Sequence, residues 1–336
     1  MTTSPRRLRI AMYCVFVTFL LNGVMFASWA SRLPAVRDQL GLQPNVMGLV
    51  LLFGSMGSLV GLPLSGRLVA AIGARATVIA ASFVTVLGFG GAVAAVGVGS
   101  VVLVAAALCM GMAGLSAWDI AMNFGGTVVE RRLGRSIMPW FHGWFSIGTV
   151  AGAAGGALAS RVGIALPVHF MIVLPLVLAC SLIAVRGWLP DTDPEPAADK
   201  AVRGQRVSYL RTWLEPRTLL IGLVVFAAAL TEGAANDWLA LAVVDGFSSS
   251  NDVGAIGFTI FVVAMTLMRF VGTGLIDRFG RLAVLRLSTG LAITGLLIFG
   301  FAPWLPVALF GGLLWGFGAA LGFPVGISAA SDDPAR

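Results

Sequence analysis

Charge is scarce in this chain. Only 11% of its 336 residues are Asp, Glu, Lys or Arg while 58% are apolar, too little polar surface for a water-soluble globule. The net charge of +7 does not point to nucleic acid, because the bases are dispersed in short loops between apolar runs rather than gathered on one face. Cysteine is equally thin. Cys14, Cys109 and Cys180 each sit inside an apolar run without metal-ligand spacing or a neighbouring partner, which excludes a zinc site and a disulfide framework and leaves three buried, inert thiols as the expectation. There is no Gly-Lys-Ser/Thr loop to cradle the phosphates of an ATP-driven pump and no paired-His helix to hold a metal. Nor is there a Gly-x-Ser-x-Gly turn. No cofactor, no metal and no enzymatic activity are therefore expected; Ser146 and His142 are the pair an intramembrane enzyme would use, and their spacing does not single them out.

What the chain has in quantity is long apolar stretches. A helix needs roughly twenty apolar residues to cross the hydrocarbon core while satisfying its own backbone hydrogen bonds. About ten runs fit, the first from Ile10 to Ser31 and the last from Leu305 to Ile327. The first follows Arg6, Arg7 and Arg9 but is longer than the apolar part of a secretory signal, so it is read as a span. The expected fold class is all-α, a polytopic membrane protein. With the amino terminus inside, the cytoplasmic side collects Arg6, Arg7 and Arg9, the bases of the central linker, Arg67, Arg75, Arg131, Arg132, Arg135, Arg278, Arg281 and Arg286, leaving only Arg32, Arg37 and Arg161 outside. This bias of roughly six to one in basic residues sets the orientation, with the chain in the cell membrane and the amino terminus and central linker cytoplasmic. Trp29, Trp188, Trp213, Trp238 and Trp304, near the run ends, suit the aromatic belts.

The longest polar stretch runs from Pro190 to about Arg217. Its acidic, proline-containing start reads as irregular, and Tyr209, Leu210 and Trp213 as a short amphipathic surface helix. Three segments result: an N-terminal bundle over 1–187, a cytoplasmic linker over 188–216 and a C-terminal bundle over 217–336.

An internal repeat is visible across that linker. The loop after the second run contains Gly66, Gly73 and Arg75. The loop after the eighth contains Gly274, Asp277, Arg278, Gly280 and Arg281, offset by the distance a duplicated half requires. These residues resemble the loop signature of the major facilitator superfamily, although the first copy has Ala70 and Ala71 where the family carries an acid and a base, and the second has Thr273 for the leading glycine. Asp119-Ile120-Ala121-Met122-Asn123, followed by Glu130, Phe141, His142, Ser146 and Gly148, resembles the fucose-permease-like sugar transporters, in which an acid and an Asn one turn apart mark the fourth helix. The first helix departs from that pattern, with Ala30, Ser31 and Arg32 near Trp29 and Pro34 but no carboxylate. The resemblance implies two helical bundles with a solute site between them, alternately exposed to each side. It also implies twelve spans, of which the last two are absent from this chain, and a monomer if complete. The antiporter pattern would put Pro after Gly152, where Ala153 stands, which disfavours antiport.

Ionisable groups inside spans are costly and mark function. Asp119 with Asn123, and Glu232 with Asn236, are i,i+4 pairs on single helix faces. Such a face binds solute hydroxyls and exchanges a proton; the plainer alternative is a carboxyl that only holds helices together. Asp237 and Trp238 lie nearer the outer surface, as a mouth feature. Asn22, Phe26 and Trp29 recur at helical spacing, combining a hydrogen-bonding amide with stacking rings, and an ordinary helix contact fits them equally. For gating the candidates are Arg269, able to snorkel to the inner surface, His142 with Ser146 as a relay or inner gate, for which a structural hydrogen bond is the plainer reading, and the loop residues Asp277 and Arg278. His169 reads as interfacial. Gly148, Gly152, Gly156 and Ser160 leave one side of a helix nearly bare, for close packing or as a pivot seam between bundles. The function expected is proton-coupled movement of a small polar solute such as a sugar, with solute, protons and lipid as partners and no nucleic acid. Efflux of amphipathic compounds and a non-transporting sensor or scaffold are the alternatives.

Overall fold

The structure, a computed structural model, describes residues 4–134, 137–189 and 216–325. Of the expected linker, residues 190–215 lie outside that description, as do Arg135 and Ile327. The described residues form helices α1 (Pro5–Ala30), α2 (Leu33–Leu40), α3 (Pro44–Ile72), α4 (Ala74–Gly97), α5 (Val101–Leu133), α6 (Met138–Arg161) and α7 (Leu166–Ala184), followed by α8 (Pro216–Phe247), α9 (Asn251–Phe279), α10 (Arg281–Gly300) and α11 (Leu305–Ala319). The punctuation is local. Ser4 accepts from the Arg7 amide to open α1, Pro5 and Pro44 start α1 and α3, and Gly41 and Gly134 close α2 and α5 in the left-handed conformation, as their chemistry favours.

Nine segments among the described residues are long and apolar enough to cross a membrane. α6, the remaining expected span, has the length but dilutes its apolar residues with glycine and small side chains. Large side chains such as Leu59, Val102, Met171 and Phe301 are exposed; in water they would be uncovered patches, and in lipid they meet a matching solvent.

The chain divides into two compact units, Met1–Asp191 with Ala240–Thr259, and Thr192–Leu239 with Ile260–Arg336. In the first, α1 packs on α6, α5 packs on α3 and α4, and α7 closes against α1 and α4. Glycine makes these contacts close. A Cβ at Gly148 would collide with the Leu20 carbonyl, one at Gly152 with that of Val24, and one at Gly23 with that of Phe145. The bare side of α6 is thus spent on close packing against α1 inside one unit, the first of the two readings, and not on a seam between bundles.

Two other expectations change. Cys14, Cys109 and Cys180 are free but half-buried rather than buried, because the helices bearing them have a side the protein does not cover. Trp29 and Trp188 are not belt residues: Trp29 packs on Phe89 and Phe170, and the Trp188 ring sits on Gly125 of α5. Trp238 and Trp304 are exposed, and Trp213 lies outside the described residues.

The repeat is legible in three dimensions. Gly73 and Gly280 share one backbone geometry, φ 83 with ψ 159 and φ 81 with ψ 156. The 207 residues from Gly73 to Gly280 also separate Gly88 from Gly295. Gly88 lies against the Gly111 amide and Ala107 carbonyl, and Gly295 against the Trp315 amide and Gly311 carbonyl; Gly114 meets Thr85 and Ala81, and Gly318 meets Ala292 and Ser288. The α4–α5 and α10–α11 hairpins are therefore assembled on matching glycines.

Candidate functional site

In the first unit, Asp119 stands on α5, half-buried. Its neighbour one turn on, Asn123, donates to the Asp119 backbone carbonyl at 2.9 Å, so the amide shares the face without holding the carboxylate. Among the described residues the Asp119 carboxylate has neither an ion pair nor a hydrogen bond, which leaves it available to a solute or a proton.

Asn22 and Trp29 are placed differently from the expected solute face. Asn22 is 2% exposed and donates to the Leu115 carbonyl at 3.3 Å, tying α1 to α5. Trp29 is in the aromatic core described above. Both residues hold helices together, because the side of α1 that carries them is the side the bundle covers. At the expected His142 and Ser146 pair, the Ser146 hydroxyl donates to the His142 backbone carbonyl at 3.1 Å, a structural hydrogen bond, and the exposed His142 ring meets Phe19 edge-on. His169 is buried beside Phe170.

In the second unit, Glu232 on α8 and Arg269 on α9 form an ion pair. Arg269 Nη2 donates to both Glu232 oxygens at 3.1 Å, and Arg269 Nε reaches the Ala320 carbonyl at 3.4 Å. The expectation that Arg269 snorkels to a surface is corrected, since an intramembrane carboxylate offers its charge a nearer partner. Asn236 makes no hydrogen bond to Glu232 among the described residues. Asp237 is half-buried on the same helix. At the end of α9, Asp277 and Arg278 are exposed, with the Arg278 guanidinium over the Phe279 ring.

Three arrangements were missed from sequence. Glu130, in the last turn of α5, accepts from the Ile137 and Met138 amides at 2.6 and 2.7 Å, satisfying donors that the start of α6 leaves open. Arg32, 4% exposed, donates to Ser160 Oγ and the Ile164 carbonyl at 2.8 Å each, a cation at the negative end of α6. Arg37 pairs with Asp38 and with Asp245, and Asn251 donates to Asp38 at 3.0 Å, joining α2 to the turn between α8 and α9. Adjacent Arg37 and Asp38 were the available signal in the last case, but their partners are more than two hundred residues away and no spacing rule connects them.

Spanning helices with intramembrane carboxylates and two glycine-matched hairpins form the frame on which comparison with known proteins bears. The model of the Major Facilitator Superfamily matches residues 14–336. The chain belongs to this superfamily. An uncharacterized transporter, y4wD, of Sinorhizobium fredii is 31% identical over 333 residues, which cover 98% of this chain and 84% of that protein. Among solved structures, a point variant of the nucleoside transporter NupG matches with a TM-score of 0.72 at 15% identity, over 97% of this chain and 84% of that one. A point variant of the Escherichia coli fucose:proton symporter FucP matches with a TM-score of 0.61 at 19% identity, over 97% and 85%. These identities speak for a shared fold. As a member of the Major Facilitator Superfamily the protein is a multi-pass membrane transporter and not an enzyme.

Within this superfamily frame the repeat separates packing from chemistry. At the 207-residue interval that relates the two loops, Leu62 of α3 stands where Arg269 stands in α9. Glycines recur between the halves; the intramembrane charges do not. A residue that breaks a repeat, and that packing does not require, is the better candidate for function.

Proposed function

We propose that this protein is a proton-coupled secondary transporter of a small polar solute, a sugar or a sugar-like metabolite. The observation that carries the reading is a carboxylate inside a spanning helix of each unit, Asp119 without an ionic partner among the described residues and Glu232 paired with Arg269. A carboxylate in hydrocarbon is costly to keep ionised, so taking up a proton changes the relative energies of the states the protein alternates between. The likeness in fold to a fucose:proton symporter supports the same class of solute. The Asp119 and Asn123 face supplies hydrogen bonds to hydroxyls, and the proton resides on Asp119 or Glu232.

Proteoliposomes with an imposed inward proton gradient are the test. Wild-type protein accumulates its solute against a concentration gradient, and either Asp119→Asn or Glu232→Gln abolishes the accumulation while leaving solute exchange at equal concentrations. Gradient-driven accumulation that persists in both variants rejects the reading.

A further inference from the structure

We propose that the buried Arg32 guanidinium holds one small monovalent anion, a halide, where α1, α6 and α7 meet, with His169 as a second donor. This site is independent of the proton-coupled reading above. Its basis is a buried cation whose partners carry no counter-charge. Arg32 is 4% exposed; Nη1 donates to Ser160 Oγ and Nη2 to the Ile164 carbonyl at 2.8 Å each, both neutral oxygens. Its Nε is buried and has no hydrogen-bond partner among the described residues. The helices around it bring no acid to balance it: α1, α4, α6 and α7 contain neither Asp nor Glu. Asp38 of α2 is engaged by Arg37 and Asn251. On α5, Glu130 is bonded to the start of α6, at the far end from Arg32, and Asp119 makes no ion pair among the described residues. The α6 carboxyl end offers partial negative charge, but the amino end of α7 follows after four residues, without a side-chain cap on it. The fields of those two helix ends oppose each other, so the guanidinium charge remains.

His169 lies one turn into α7, 7% exposed, and its Nδ1 is buried without a hydrogen-bond partner among the described residues. Aromatic packing brings it toward Arg32. The Arg32 amide bonds to the Trp29 carbonyl, the Trp29 ring packs on Phe170, and Phe170 packs on His169; the Arg32 charge acts on His169. With its proton on Nδ1, the imidazole donates as the guanidinium Nε does. Packing does not call for an arginine here. At the 207-residue interval of the repeat Leu239 stands where Arg32 stands, and it is 1% exposed. The register holds through this stretch, since Ser248 at φ 47 answers Gly41 at φ 63. A buried charge that packing does not require is costly unless it is compensated. One guanidinium calls for one negative charge, which a divalent anion would overshoot. The near-complete burial of both side chains excludes a polyatomic solute such as a sugar acid. A halide meets both conditions, and as a sphere it accepts N–H groups from separate helices without a preferred direction.

The test uses the purified full chain in detergent. Equilibrium dialysis against radiochloride should retain one chloride per chain, displaced by bromide and not by gluconate or sulfate. The thermal midpoint should rise by about 2–4 °C when sodium chloride replaces sodium gluconate at equal ionic strength. Arg32→Leu, which copies the second half, should abolish both the retention and the chloride shift while keeping a midpoint in gluconate no lower than that of the wild type. An arginine that served packing alone would instead lower the midpoint in both salts. His169→Phe should weaken chloride retention about tenfold, as loss of a hydrogen bond to a charged partner does. The proposal is overturned by a wild-type chain that retains no chloride, by displacement with sulfate as effective as with bromide, or by retention unchanged in Arg32→Leu. Should Arg32→Leu fail to fold, retention in His169→Phe equal to that of the wild type overturns it.

Discussion

Gly73 and Gly280 sit at φ 83 with ψ 159 and φ 81 with ψ 156, a region of backbone space open essentially to glycine. Any L side chain there costs about 1–3 kcal/mol. These two residues turn the chain from one span into the next without a loop to spare, α3 ending at Ile72 and α4 beginning at Ala74. Gly73→Ala and Gly280→Ala are each expected to lower the thermal midpoint of the purified protein. Gly66→Ala is the control, since a Cβ at Gly66 meets open space. Equal midpoints for all three would show that the turn geometry is not a constraint. At this scale the sequence was informative about identity and silent about pairing: Glu232 and Arg269 were both visible as intramembrane ionisable residues, but their separation of 37 positions belongs to no helical period.

At the scale of elements, the α1–α6 contact is the most exacting. Helices that share a lipid solvent gain little from hydrophobic burial against each other, so they associate where small residues let backbones touch. Gly23, Gly148 and Gly152 provide that on both partners, each leaving no room for a Cβ against the facing carbonyl. Gly148→Leu is expected to destabilise the first unit by about 1–3 kcal/mol or more through overpacking, whereas Gly155→Leu, whose Cβ meets nothing within 4 Å, is expected to be tolerated. Thermal denaturation in detergent, followed by tryptophan fluorescence, separates the two. A Gly155→Leu midpoint as low as that of Gly148→Leu would mean that helix composition, not the seam, sets stability. The four-residue spacing of these glycines announced a smooth face in the sequence. Which helix that face would meet was not encoded in the spacing, and the structure assigns it to α1.

For the whole molecule, the alternation of spans and basic loops sets an orientation that can be measured. α3 joins exposed Gln43 at one end to exposed Ala71 at the other. With the amino terminus cytoplasmic, Gln43→Cys in a background lacking Cys14, Cys109 and Cys180 is expected to react with a membrane-impermeant maleimide on intact cells. Ala71→Cys is expected to react only after permeabilisation. The reverse pattern would invert the orientation read from the arginines. Because the basic residues lie mostly at one set of helix ends, a single inversion would carry every loop with it.

The sequence by itself determined the solvent, the secondary structure and the family. Long apolar runs leave the backbone no choice but helix in lipid, and the doubled glycine loop declares a duplicated half. Asp119 and Glu232 stood out because charge in such runs is rare. Tertiary structure alone decided how the polar groups are used: Asn22 and Trp29 hold helices together, Glu130 closes the start of α6, and Arg269 meets Glu232 rather than a surface. The physical reason is that spans are specified by composition over a single stretch of chain. A polar contact between spans depends on which helix faces are brought together, and that is fixed by side-chain packing among residues far apart in sequence.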